Sequence, residues 1–269
     1  MSDTDKVFAG SIPKLYDEYL VPMIFSVYAD DIARRVAALS PSVLLEIAAG
    51  TGAVTRAVAA ALPRDVRYVA TDLNEPMLAV AAQRQAGDDR ITWRQADGMA
   101  LPFGDAEFDV VCCQFGAMFF PDRVKAYGEV KRVLKPDGTF VFNVWDRIED
   151  NVLTHEATIA LGKMFPDDPP RFMIRTPHGY HDKAAIRTDL ERAGFRDISI
   201  ETRSEISHAP SSEYVAIALC QGTPLRSEIE ARDASKLQAA TDLVAEALRT
   251  RHGSGAVEGK IQAIVIEAR

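Results

Sequence analysis

Cysteine is scarce in this chain, with three among 269 residues. Cys112 and Cys113 are neighbours in an apolar run and Cys220 stands alone. So sparse and odd a set argues against a disulfide framework and fits a reducing compartment, so the cytoplasm is the expected location. Strand cysteines of this kind usually pack as small hydrophobes. Long apolar runs are also missing. None approaches the roughly 18 residues that a membrane span requires, and the opening "MSDTDKVFAG" has no basic stretch followed by an apolar one, so no secretory signal is visible. There is no Lys/Arg-rich block, and the net charge is −8, which disfavours a nucleic-acid partner. No metal site is expected: His155-Glu156 begins H-E-x-x-H, but Ile159 occupies the last position. The remainder is ordinary for a globular protein, 47% hydrophobic and 26% charged, and the chain is long enough to bury a full core.

What is present is a rhythm. The first 40 residues space their apolar side chains at three and four, in "SIPKLYDEYL" and "PMIFSVYADDIARRVAAL", and predict two helices broken at Pro22. Alternation takes over at residue 43. "VLLEIA" reads as a strand, and Ala53 to Leu62 as a helix with Val54, Ala57, Val58 and Ala61 on one face. "VRYVATD" (66–72) is a second strand, and Asn74 and Pro76 suit the N-cap and first turn of "EPMLAVAAQRQA". "RITWRQA" (90–96) is a third strand, and "FDVVCCQF" (108–115) a fourth, apolar enough to be covered on both faces. A helix over about 122–134, a turn at "KPDG" (135–138) and the strand "TFVFNVW" (139–145) follow. Such alternation implies right-handed βαβ units and a parallel sheet. Beyond Trp145 the rhythm breaks into a helix-like stretch and the loop "FPDDPPRFMIRTPHGYHD". A helix (183–195), a strand (196–206), helical material (about 211–251) and the closing strand "KIQAIVIEAR" (260–269) complete the chain.

The segment "LLEIAAGTGAVT" (44–55) breaks an apolar strand with glycines and restarts at once as a helix. That is the pattern of a ligand laid against backbone at a helix N-terminus. A dinucleotide asks for G-x-G-x-x-G, and here Thr55 holds the third position. Asp72 lies 20 positions after Gly52, where a carboxylate can accept from a ribose, and Asp97-Gly98 follows the third strand as Asp72 follows the second. In a parallel sheet both carboxylates leave at one edge, which suits the ribose and the amino group of an adenosine. No G-x-x-x-x-G-K-[ST] spacing exists, so a triphosphate is disfavoured.

With these residues the chain resembles the class I S-adenosylmethionine-dependent methyltransferases, in their small-molecule branch that includes the quinone-biosynthesis C-methyltransferases. The resemblance runs through "VLLEIAAGTGAVT", "VATDLNEPML", "ADGMALPFGDAEFDVVCCQFGAMFFPD" and "EVKRVLKPDGTFVFNVW", about residues 40–146. It implies an α/β fold: a doubly wound, seven-stranded, mostly parallel sheet with an antiparallel last strand, of Rossmann-like methyltransferase type, with helical lid insertions. Ala48 departs from the family, which most often has its first Gly there; being small, it is expected to retain binding. Ala48, Gly50 and Gly52 would let the methionine part of S-adenosyl-L-methionine lie against backbone. Glu46 would support the loop or take the amino group through water. Asp72 would hold the ribose, with Leu73 and Met77 flanking the adenine. Asp97 would accept from the adenine amino group, with Gly98 and Met99 at the ring nitrogen. Gln114 and Phe115 would sit near the sulfonium, and Tyr16 would fold over the cofactor.

The expected activity is methyl transfer to a small, partly apolar molecule. A non-catalytic adenosylmethionine-binding regulator and, less favoured, a dinucleotide-dependent oxidoreductase remain alternatives. The whole chain is expected to form one domain, with a helical cover (1–40), a cofactor core (41–146) and lid insertions (147–180 and 207–258). "TPHGYHD" (176–182) concentrates two of the five histidines, so His178 and His181 are the candidate general bases. Asp182 is better read as the cap of the helix that starts at Lys183. The oligomeric state stays open.

Overall fold

The computed structural model describes residues 3–269. Internal contacts divide it into two compact units. One holds the residues up to Phe25 with 145–180 and 204–262; the other holds 26–144, 181–203 and 263–269.

The second unit is built on the sheet. The strands are β1 (Val43–Glu46), β2 (Arg67–Asp72), β3 (Ile91–Gln95), β4 (Phe108–Gln114), β5 (Leu134–Trp145), β6 (Ile198–Ala209) and β7 (Val257–Ala268), of which Trp145, 204–209 of β6 and 257–262 of β7 are counted with the first unit. They run in the order β3-β2-β1-β4-β5-β7-β6, six parallel and the last antiparallel. The expected α/β class and strand count are therefore met. Parallel register pairs Glu46 with Ala70 and with Cys112, Asp72 with Gln95, and Gln114 with Asn143. The ends of β1 to β4 thus emerge together at one edge, around the point where strand order reverses.

Alternation along the strands divides the core. On one face Leu44, Tyr68, Val110 and Val141 pack with Ala29, Ile32, Ala33 and Val36 of the helix Ser26–Ala38 and with Val54, Val58 and Ala59 of the helix Ala53–Ala61. On the other face Phe140 stacks on Phe142 with ring centroids 4.5 Å apart, and Tyr127 and Phe195 close in at 5.8 and 6.0 Å.

Two local expectations need correction. "KPDG" does not precede β5 but bulges within it. Phe108 pairs with Leu134 and Val110 with Thr139, so one residue of β4, Asp109, stands opposite the four residues 135–138 of β5 and the excess loops out. Gly138 is needed there, because a Cβ would stand 3.0 Å from the carbonyl oxygens of Asp109 and Lys135. In the other unit Pro22 does not break the helix. Tyr16–Phe25 winds as a π-helix with Pro22 inside it, and the wider i→i+5 turn relieves the clash a proline ring makes with the i−4 carbonyl.

Apart from 204–209 of β6 and 257–262 of β7, that unit is mainly helical, with Val152–Met164, Ser212–Gln221, Leu225–Asp233 and Leu237–His252 as its longer helices. Its N-terminal turn is tied down by Asp5, which is 1% exposed. The Asp5 carboxylate accepts from Arg175 at 2.6 Å and from the Thr176 hydroxyl at 2.7 Å. No described helix is long and apolar enough to cross a membrane.

Phe140 is fully buried among three aromatic rings. Phe140→Ala is expected to cost about 3–5 kcal/mol, read as a lower urea midpoint with little change in slope.

Candidate active site

The glycine loop and the tip of β4 between them hold four left-handed residues. Gly50 and Gly52 have φ of +57° and +80°, and Ala48 and Phe115, which are not glycines, have +54° and +50°. Each non-glycine costs roughly 1–2 kcal/mol in that conformation. Strain of this sort persists where surrounding structure enforces it, most often at functional sites. Two of the four left-handed non-glycine residues among those described thus fall on the tips of neighbouring strands, β1 and β4, the other two being Ser40 and Ala106 in turns ahead of the same strands. Gly52 is needed twice, since a Cβ would also meet Ala81 Cβ at 3.0 Å. Gly116 answers Ala48: a Cβ on Gly116 would sit 2.4 Å from the Ala48 methyl and 2.8 Å from Cys113 Sγ.

Asp72 ends β2 and is 7% exposed. Its Oδ2 accepts from Gly50 N at 2.8 Å and its Oδ1 from Asn74 N at 2.7 Å. Burial raises its pKa against the lowering effect of these amides. A carboxylate offers about four lone-pair positions, so Oδ2 keeps room for a ribose hydroxyl, whereas Oδ1 is largely committed to Asn74. Asn74 sits at the N-cap of Glu75–Arg84 without a capping bond from its side chain. Beside this turn Leu73 is 43% exposed, and Met77 is buried with its Cε 3.7 Å from where a Gly50 Cβ would lie. Asp97, exposed at the end of β3, accepts from Met99 N at 2.8 Å and so orders the Gly98–Met99 turn. Phe120 lies against Gly98, where a Cβ would stand 2.9 Å from its ring.

Glu46 is buried beneath the loop. Its Oε2 accepts from the Thr55 hydroxyl at 2.6 Å and from the Tyr68 hydroxyl. Thr55 thus occupies the dinucleotide's third-glycine position with a hydrogen bond to make. Burial pushes the Glu46 carboxyl up to about 7, against the lowering effect of the two hydroxyls.

Gln114 and Phe115 occupy the tip of β4, Phe115 edge-on to Tyr28 with centroids 5.3 Å apart. Tyr16 belongs to the other unit, where it stacks on Phe25 at 4.9 Å. His178 lies in that unit too, 5% exposed, with Nδ1 2.7 Å from the Asp146 carbonyl oxygen. A carbonyl only accepts, so Nδ1 carries the hydrogen and Nε2 is the acceptor of the neutral ring. His181 is exposed in the sheet unit. Asp182 caps Lys183–Arg192 by accepting from Ala184 N at 2.8 Å, as its sequence position implied.

Comparison with known proteins agrees with this geometry. Residues 45–142 match the family model described as "Methyltransferase domain". This part of the chain is a class I S-adenosylmethionine-dependent methyltransferase domain. It is similar to the demethylmenaquinone methyltransferase of Clavibacter sepedonicus, 42% identical over 108 residues, which are 40% of this chain and 43% of that one. It is also similar to the ubiquinone/menaquinone biosynthesis C-methyltransferase UbiE of Burkholderia mallei, 32% identical over 160 residues, 56% of this chain and 66% of that one. The chain therefore spans less than two thirds of the length of either relative. Among solved structures, the YcgJ protein of Bacillus subtilis shares the fold with a TM-score of 0.56 at 19% identity, covering 90% of this chain and 97% of that one.

The residues of the methyltransferase domain fit the cofactor of its class. The left-handed glycines leave the cradle bare, and the Thr51 hydroxyl within it is buried with no hydrogen-bond partner among the described residues. Sequence reasoning did not single out Thr51, Tyr68, Gly116 or Asn143. Of these only Asn143 signalled itself, as a lone amide in "TFVFNVW".

Two outcomes are expected. Gly116→Ala should destabilise by about 1–3 kcal/mol through overpacking, and Ala48→Gly in the same chain should recover at least about 1 kcal/mol of it in a denaturant double-mutant cycle. Because the folded Glu46 carboxyl holds its proton more tightly than the unfolded one, stability should fall as pH rises from about 4.5 to about 7. Glu46→Gln should flatten that slope by up to about 1.4 kcal/mol per pH unit, checked by urea unfolding at several pH values.

Proposed function

We propose that the protein transfers a methyl group from S-adenosylmethionine to a small, partly apolar acceptor by in-line displacement. The observation that carries this reading is the Asp72 carboxylate anchored between the glycine loop and the turn after β2, with Asp97 at the next strand end. When bound, the cofactor supplies a methyl already activated on its sulfonium. The protein's contribution is then mostly placement, worth on the order of 7–11 kcal/mol at best.

In this reading Gly50, Thr51 and Gly52 receive the methionine part, and Ala48 shapes the approach. Asp72 holds the ribose, and Glu46 supports the loop from below. Leu73 and Met77 flank the adenine, Asp97 takes its amino group, and Gly98 and Met99 address the ring nitrogen. Gln114 and Phe115 stand at the sulfonium, and Tyr16 covers the cofactor. The segments 147–180 and 207–258 follow β5 and interrupt the chain between β6 and β7, and acceptor recognition is assigned to them in this reading. The tautomer fixed by the Asp146 carbonyl favours His178 over the exposed His181 as general base where the acceptor must lose a proton. Two relatives carry names from quinone biosynthesis, so quinol and phenol rings are the first acceptors to try.

Thermal shift with adenosylmethionine, adenosylhomocysteine, NAD and FAD tests the reading: the sulfur nucleosides should stabilise the protein and the dinucleotides should not. Asp72→Ala is expected to weaken adenosylmethionine by about 1.5–3 kcal/mol, the worth of charge-assisted hydrogen bonds. Calorimetry showing unchanged affinity in the folded variant would remove Asp72 from the site.

A further inference from the structure

β5 is apolar from Phe140 to Trp145 except at Asn143, which is fully buried. A carboxamide there must be explained, because burying a polar group costs stability unless it is hydrogen-bonded. Only half of it is. Oδ1 accepts from Phe115 N at 3.0 Å, while Nδ2 is buried with no partner among the described residues. A leucine of similar shape would carry no unsatisfied donor, so stability alone does not account for the asparagine.

The bond it makes lies at a particular place. The Phe115 amide is shared between Asn143 Oδ1 and the Asn143 carbonyl, 3.0 and 3.1 Å away. Phe115 is left-handed, which a bulky residue adopts only when held. The next residue, Gly116, lies against the methyl of Ala48, itself left-handed on the glycine loop. Any relaxation of Phe115 towards ordinary φ would therefore drive the β4 tip against that loop or away from it.

We infer that Asn143 is a positioning residue of the cofactor site, acting through the Phe115 amide to hold the Gln114–Gly116 tip in register with the loop at Ala48. The inference rests on the proposed binding of adenosylmethionine, and its signature is a separation of stability from binding. Asn143 keeps a strained turn in place and leaves an orphaned donor as the cost.

The experiment uses the full chain, with melting and calorimetric titration of adenosylmethionine on the wild type, Asn143→Leu and the milder Asn143→Ser. The leucine variant is expected to melt at or above the wild type while binding at least about tenfold more weakly. The serine variant carries the same test should leucine fail to fold. In a Phe115→Gly background, where glycine adopts the left-handed conformation unaided, the Asn143 substitution should cost little further affinity. Wild-type affinity in the folded variants, or affinity lost only in proportion to melting temperature, overturns the assignment. So does an undiminished loss in the glycine background. A wild-type protein that does not bind adenosylmethionine sinks the functional reading first, and this inference with it.

Discussion

One buried carboxylate joins the parts of this site. Asp72 accepts from Gly50 N on the loop after β1 and from Asn74 N on the turn after β2. The two turns are consecutive in the sheet but 22 residues apart in sequence for the first bond. Hydrogen bonds to a charged acceptor are roughly twice as strong as neutral ones, and in a low-dielectric setting they hold geometry tightly. The same bonds keep the carboxylate from rotating. Glu46 repeats the arrangement one layer down, where two hydroxyls fix one oxygen and leave the loop resting on a polar floor.

The loop and the β4 tip are then shaped by steric fit. Ala48 carries a methyl where a hydrogen would relieve its backbone, and Gly116 lacks one where a methyl would collide. Each residue makes sense only beside the other. Close-packed interiors transmit displacements of this size, so the turn that carries Gln114 and Phe115 and the loop that carries Gly50 and Gly52 are set against one another.

Much of this could be read in the sequence, and the remainder was hidden for physical reasons. Strand and helix periodicity, the glycines and the two strand-end aspartates all show in residue types, because burial, φ and charge select those types directly. Left-handed backbone at Ala48 and Phe115 leaves no such trace, since neither side chain prefers it. The bulge at 135–138 was legible as a turn, but its position inside a strand depends on pairing with β4. Pro22 misled because its usual effect assumes an α-helical ladder, and the π-helix supplies a different one. Thr51 and Tyr68 matter through what they face, which only the folded chain settles.

The three thiols offer a use that none of this chemistry needs. Cys112 and Cys113 sit in β4 of the sheet unit and Cys220 in the helix Ser212–Gln221 of the other, all buried. Burial pushes the Cys113 and Cys220 thiols up to about 12, and Cys112 well above its ordinary value. At pH 8 the thiolate fraction of a group at 12 is on the order of one part in ten thousand, so the native fold hardly reacts with alkylating reagents. Each unit carries its own built-in clock. Pulsed labelling with peptide mapping can time the opening of each separately, on the unmodified chain, with no engineered probe.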